Sequence, residues 1–117
     1  MNKYSADELF KIAYNHLQKK DFKKSADLFE KLINEFPENL SVLRNLAHSY
    51  AFLGKFEKAE NYIKKIIKIN PDEPFAYQFL ASILKDQDKL EEAVSVIEWA
   101  LKKKMINEKW IIQKNFL

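Results

Sequence analysis

The chain has 117 residues, 47% of them apolar, which suits one small domain with its own core. Its 20 basic and 17 acidic residues leave a net charge of +3 with the signs mixed along the chain; this predicts solvated helix faces and excludes the one-sided basicity of a nucleic-acid binder. The absence of cysteine excludes disulfides and thiolate metal sites, and a single glycine with three prolines is too little turn chemistry for a sheet protein, so an all-α fold is expected.

The opening stretch, MNKYSADELFKIAYNHL, has no apolar core of the kind a secretory leader needs. No run is long enough to span a membrane either, and a cytoplasmic location is the expectation. Ser5 followed by Glu8 reads as a capping box at the start of a first helix. Leu9, Ile12 and Ala13 follow at helical spacing. A second helix begins near Phe22, after Asp21, and carries Ser25, Phe29 and Leu32 before Pro37. Asn39 is placed to N-cap a third helix, in which Leu43, Leu46, Ala47 and Tyr50 keep the i, i+3, i+4, i+7 pattern. Gly54 breaks it. Phe56, Ala59, Ile63, Ile66 and Ile67 build a fourth helix that stops before Pro71. Pro74 suits the first turn of a fifth helix, where its missing N–H is not needed. Asp88 opens the turn to a sixth helix, whose end carries Lys102, Lys103 and Lys104, cations placed to meet its last carbonyls. Asn107 can N-cap a final short helix over residues 108–117, an apolar stretch in which Trp110, Ile111, Ile112, Phe116 and Leu117 stand.

These landmarks recur in steps of 34 residues: Phe22, Phe56 and Leu90; Ala13, Ala47 and Ala81; Ser25, Ala59 and Ala93; Leu9, Leu43 and Tyr77. Each set is apolar or small. The small sets fall where two helices of one unit must approach closely. The chain is therefore three helix–turn–helix units of equal length and a tail. Lys114 and Asn115 stand where a fourth unit would need core residues, so the tail reads as a cap on the third.

The pattern resembles the tetratricopeptide repeat, carried here by Leu43, Leu46, Ala47, Tyr50, Gly54, Phe56, Ala59, Ile63, Ile66 and Pro71. Repeats of about 6–39, 40–73 and 74–107 would make one domain covering 1–117. The resemblance departs at Lys20 and Asp88, which stand at the turn glycine; at His16, which stands at the tyrosine; and at Met105, which stands at the closing proline. It implies an α-solenoid, a right-handed superhelix of three units closed by a C-terminal helix. It also implies a protein–protein interaction module whose first helices line a concave groove. Carried over by position, the lining is Phe10, Tyr14 and Leu17 from the first repeat; Arg44, Asn45, His48 and Phe52 from the second; and Phe75, Gln78, Phe79 and Ser82 from the third. This aromatic lining with a polar centre suits an apolar peptide segment or an amphipathic helix. Family members that clamp a C-terminal carboxylate do so with lysine, arginine and asparagine. The matching positions here are Phe10, Tyr14, Asn45, Phe75 and Phe79, and only Asn45 fits.

No phosphate loop or metal-ligand cluster is apparent, and carboxylate pairs such as Glu91 and Glu92 fall on solvated helix faces, so no enzyme activity, cofactor, metal, nucleic acid or membrane partner is expected. His16 reads as a packing residue and His48 as groove-facing. Three other roles compete with the adaptor reading. One is a small secretion-type chaperone. Another is a regulatory domain of a larger protein. The third is a self-associating scaffold, a weak homodimer through the C-terminal helix, with Trp99, Trp110 and Phe116 as its contacts. Trp99 is the odd member of its register, since Lys31 and Lys65 hold the equivalent positions.

Overall fold

The computed structural model describes residues 3–114. Seven helices follow in order: α1 (Ala6–Gln18), α2 (Phe22–Glu35), α3 (Leu40–Phe52), α4 (Phe56–Ile69), α5 (Pro74–Asp86), α6 (Leu90–Lys102) and α7 (Glu108–Gln113). There is no strand among the described residues. Their ends follow the sequence signals. The Ser5 hydroxyl accepts from the Glu8 N–H and donates to the Glu8 carboxylate, both at 3.1 Å. The Asn39 side chain accepts from the Val42 N–H at 3.0 Å, and that of Asn107 from the Trp110 N–H at 2.9 Å. Pro74 is the first residue of α5. α6 ends at Lys102, so the three lysines straddle its C-terminus.

The turns inside the repeats share one backbone solution. Lys20, Gly54 and Asp88 all adopt positive φ, at 63°, 77° and 59°. Each is followed by the same closing bond from a backbone N–H to a helix carbonyl: Asp21 to His16 at 2.8 Å, Lys55 to Tyr50 at 2.8 Å and Lys89 to Leu84 at 2.9 Å. This is the left-handed C-cap that glycine favours, and here two of the three positions reach it with a side chain attached. A fourth copy ends α6, where Lys104 has φ 60° and the Met105 N–H reaches the Ala100 carbonyl at 2.9 Å. Met105 stands at the register of Pro37 and Pro71, and a proline there has no N–H to give.

The chain divides into two compact units, Met1–Tyr62 and Ile63–Leu117. In the first, α1 packs on α2 and α2 on α3. Phe29, Leu32, Leu43 and Leu46 are fully buried there, and Ala13, Ala47 and Ser25 sit at the close approaches with essentially no exposure. Ser25 is polar where its register mates are alanine, and it is satisfied. Its Oγ lies 2.7 Å from Ser49 Oγ in the interior, and each hydroxyl also reaches a backbone carbonyl, that of Phe22 or Asn45. In the second unit α5 packs on α6. Its core is Tyr77, Ala81, Ile97, Ala100, Ile106 and Ile111. Ile111 belongs to α7, so the short terminal helix contributes to this core, as a cap should.

Candidate partner-binding surfaces

α1 and α3 pack together in the first unit and present a cavity of about 520 Å³. Tyr14, Leu17 and Gln18 come to it from α1, and Arg44, Asn45, His48 and Phe52 from α3. Lys20 and Phe22 line it from the α1–α2 turn and the start of α2. The Phe22 and Phe52 rings stack at 4.7 Å with 15° between their planes, and the His48 ring lies 6.2 Å from Phe52 with 19° between their planes. Phe52 nevertheless keeps 61% of its surface exposed, and Tyr14 keeps 42%. Two aromatic side chains therefore stand open to water at one cavity, an arrangement that helix packing does not require.

Among the described residues, the polar groups lining this cavity are cationic or neutral, with no carboxylate. Burial, and secondarily the Arg44 guanidinium, lower the pKa of His48, so its imidazole is uncharged at neutral pH. Asn45 directs its amide N–H₂ back to the Ser41 carbonyl at 2.8 Å. His16 lies outside the cavity lining, half-buried, with Nδ1 at 3.4 Å from the Asp21 carboxylate.

The sequence-expected residues do not all meet. Phe10 packs edge-on against Phe29 at 5.4 Å and lines a separate cavity of about 360 Å³ with Phe36, Asn39 and Val42. It is inside the helix layer as much as on its surface. Phe75, Gln78, Phe79 and Ser82 lie along α5 of the second unit, where the two phenylalanine rings pair edge-to-face at 5.4 Å. All four are half-buried. Two lining residues of the first cavity, Lys20 and Phe22, escape a reading by helical face because they sit at a turn. The signal that marks Phe22 is chemical: it is one of three large apolar residues in its register, at a helix start, where side chains reach beyond their own helix.

A second surface lies on the second unit. Trp99 of α6 rests on the Tyr77 ring, 4.7 Å between centroids, and remains 41% exposed. With Leu80, Val96, Ile67 and Lys64 these rings bound a nearly wholly apolar depression of about 370 Å³. The Tyr77 hydroxyl donates to the Pro71 carbonyl at 2.6 Å, which fixes the ring. Burial, with Asp72 as a lesser cause, raises its pKa and keeps that donor proton in place. Lys103 holds its ammonium 5.8 Å above the Trp99 ring. Trp110 is half-buried against the second unit's core, and Phe116 lies outside the described residues. Among the described residues no group of three histidines, cysteines or carboxylates could hold a metal ion, and no helix is long and apolar enough to cross a membrane.

Comparison with known proteins places this geometry in a larger group. A family model described as tetratricopeptide repeat matches residues 16–83. A curated relative, Protein CTR9 homolog of Arabidopsis thaliana, is 33% identical over 79 residues, 68% of this chain. The match spans only 7% of that protein's length. Among solved structures, the first TPR of Spaghetti (RPAP3) bound to HSP90 peptide SRMEEVD superposes with a TM-score of 0.80 at 22% identity, over 98% of this chain and 91% of that one. The Sgt2 TPR domain from Aspergillus fumigatus gives 0.79 at 19%, over 94% and 76%. The CopN-Scc3 complex gives 0.81 at 16%, over 98% and 68%. At these identities the structural likeness establishes the fold.

Proposed function

The chain belongs to the tetratricopeptide repeat family, and from that premise we infer that it is a protein-interaction module whose first-unit cavity takes an apolar segment of a partner protein. The observation that carries this reading is Phe52, stacked on Phe22 yet 61% exposed, with Tyr14 open at the same cavity. Exposed aromatics in a concavity are the usual anchors of such contacts, and one well-filled aromatic site contributes roughly 2 kcal/mol or more. Phe75 and Phe79, with Gln78 and Ser82, offer a further contact on α5.

The solved neighbour with an HSP90 peptide holds an acidic sequence, SRMEEVD. A terminal carboxylate of that kind is not the ligand inferred here. The positions that would clamp it carry aromatic rings, Asn45 excepted, and the Asn45 amide already donates within its own helix. Arg44 and Lys20 can still meet one acidic side chain beside the apolar anchor.

The test is a screen of displayed peptides against the purified chain and a Tyr14→Ala, Phe52→Ala variant. Both side chains are exposed, so the variant keeps its helices. Apolar peptides should enrich on the parent and not on the variant. Equal enrichment on both, or none on either, overturns the reading.

A further inference from the structure

The Tyr77–Trp99 depression lies on α4, α5 and α6 and shares no residue with the first-unit cavity. Two independent features mark it. Trp99 breaks the 34-residue register: Lys31 and Lys65, at the equivalent positions, are solvated, whereas the tryptophan lies over Tyr77 and leaves an apolar opening beside it. Among the described residues that line the opening, the charged side chain is a lysine, Lys64, and a second lysine, Lys103, covers the indole; no carboxylate among the described residues lines it. The exposed Lys102 and Lys104 flank Lys103 and extend the positive edge at the end of α6.

We propose that this depression is a second docking site, which takes one large apolar side chain from a partner segment with acidic residues on either side of it. The space, about 370 Å³, suits a single aromatic or leucine side chain rather than the face of a helix. Trp99 and Tyr77 supply the contact surface. Lys103, with Lys102 and Lys104 beside it, meets the flanking carboxylates, which steers approach and selects against basic segments. Charge also decides between a partner and a second copy of the chain. A two-fold self-contact sets the same patch against itself, which would bring the exposed Lys103 side chains of both copies toward each other.

Trp99 is its own reporter once the other indole is removed. A Trp110→Phe protein, its helicity checked by circular dichroism and the unaltered chain titrated beside it, is mixed with the capped peptide Asp-Asp-Leu-Phe-Asp-Asp. The control is Lys-Lys-Leu-Phe-Lys-Lys. The acidic probe should shift Trp99 emission saturably, and added salt should weaken it; the basic probe should not bind. Trp99→Lys installs the residue of the other two repeats, so the fold is kept; with the reporter gone its binding is read by calorimetry beside the parent, and it should weaken by about thirtyfold, the loss of one anchor. Lys103→Glu should weaken it while leaving emission of the free protein tryptophan-like. Tyr14→Ala with Phe52→Ala should leave it unchanged, whether or not the first-unit cavity binds peptides. Equal binding of both probes, or of neither, overturns the proposal. So does loss of binding on the Tyr14→Ala, Phe52→Ala protein with Trp99→Lys silent, which would place the probe in the first cavity. A Trp99 shift that follows protein concentration alone, with a doubled mass in solution, overturns it in favour of a second copy.

Discussion

Tyr50 and Tyr62 lie parallel, 5.9 Å apart with 2° between their ring planes, and both donate to the same carboxylate oxygen of Glu30, at 2.6 and 2.8 Å. Three helices, α2, α3 and α4, are joined at that one atom. Lys58 closes the group with its ammonium 5.1 Å from the Tyr50 ring. Burial first, and then the Glu30 hydrogen bond and charge, raise both phenol pKa values well above the ordinary 10.0.

A loss of stability in alkali follows. Each phenol holds its proton more tightly folded than unfolded. Its contribution is complete below pH 10.0, the unfolded value, and falls as pH rises beyond it, because the unfolded chain ionises first. Urea midpoints measured from neutrality upward should stay level and then drop above that point. Tyr62→Phe should lower the midpoint at neutral pH, through the lost bond to Glu30, and should flatten the alkaline drop. A drop of the same steepness in Tyr62→Phe and the parent would show that this cluster is not its source.

The three left-handed turn positions differ in residue but not in backbone, and this makes them separately adjustable. Gly54 has nothing within 4 Å of where a Cβ would stand, so Gly54→Ala meets no clash. Its cost is conformational alone, about 1 kcal/mol or somewhat more at φ 77°. Lys20→Gly and Asp88→Gly relieve the same strain where it now exists. Part of the gain is offset by glycine's greater freedom when unfolded, which leaves about 0.5 kcal/mol each. Denaturant unfolding of the three variants should thus move in opposite directions, Gly54→Ala down and the other two up.

The same turns show what the sequence makes legible. Periodicity of 34 locates Lys20 and Asp88 at the glycine position, because the closing hydrogen bond depends on backbone and register rather than on side chain. The helices, the alanine close approaches and the caps at Ser5, Asn39 and Asn107 can be read for the same reason: each is a local rule repeated. What escapes is the direction of individual side chains. Phe10 shares a helical face with Tyr14, and the rings run nearly parallel at 6.4 Å, yet its edge is turned onto Phe29. Nothing in spacing distinguishes a ring that leans into the layer from one that leans out. The Glu30 cluster is hidden differently. Glu30 has Lys64 and Glu98 in its register and looks like any solvated charge until two tyrosines from other helices reach it. Trp99 shows the converse. Its departure from Lys31 and Lys65 is plain in the sequence, but its partner, Tyr77, is apparent only once α5 and α6 are packed.

The remaining prediction concerns acid and His48. Burial, with Arg44 beside it, places the folded pKa of His48 below the ordinary 6.5, so the unfolded chain binds a proton that the folded chain resists. The sign is opposite to that of the tyrosines. Stability is unaffected above pH 6.5 and falls as pH drops below it toward the folded value. An apolar ligand stacked beside Phe52 stabilises the neutral imidazole further, since a charge there would be desolvated. Binding to the first-unit cavity should therefore weaken in the same acid range, where free protein still folds. His48→Gln removes the titrating group and keeps a polar side chain of similar reach. Its midpoint and its peptide affinity should both lose this component of the acid dependence. If the variant's affinity falls with acid as the parent's does, His48 is not the group that couples the cavity to pH.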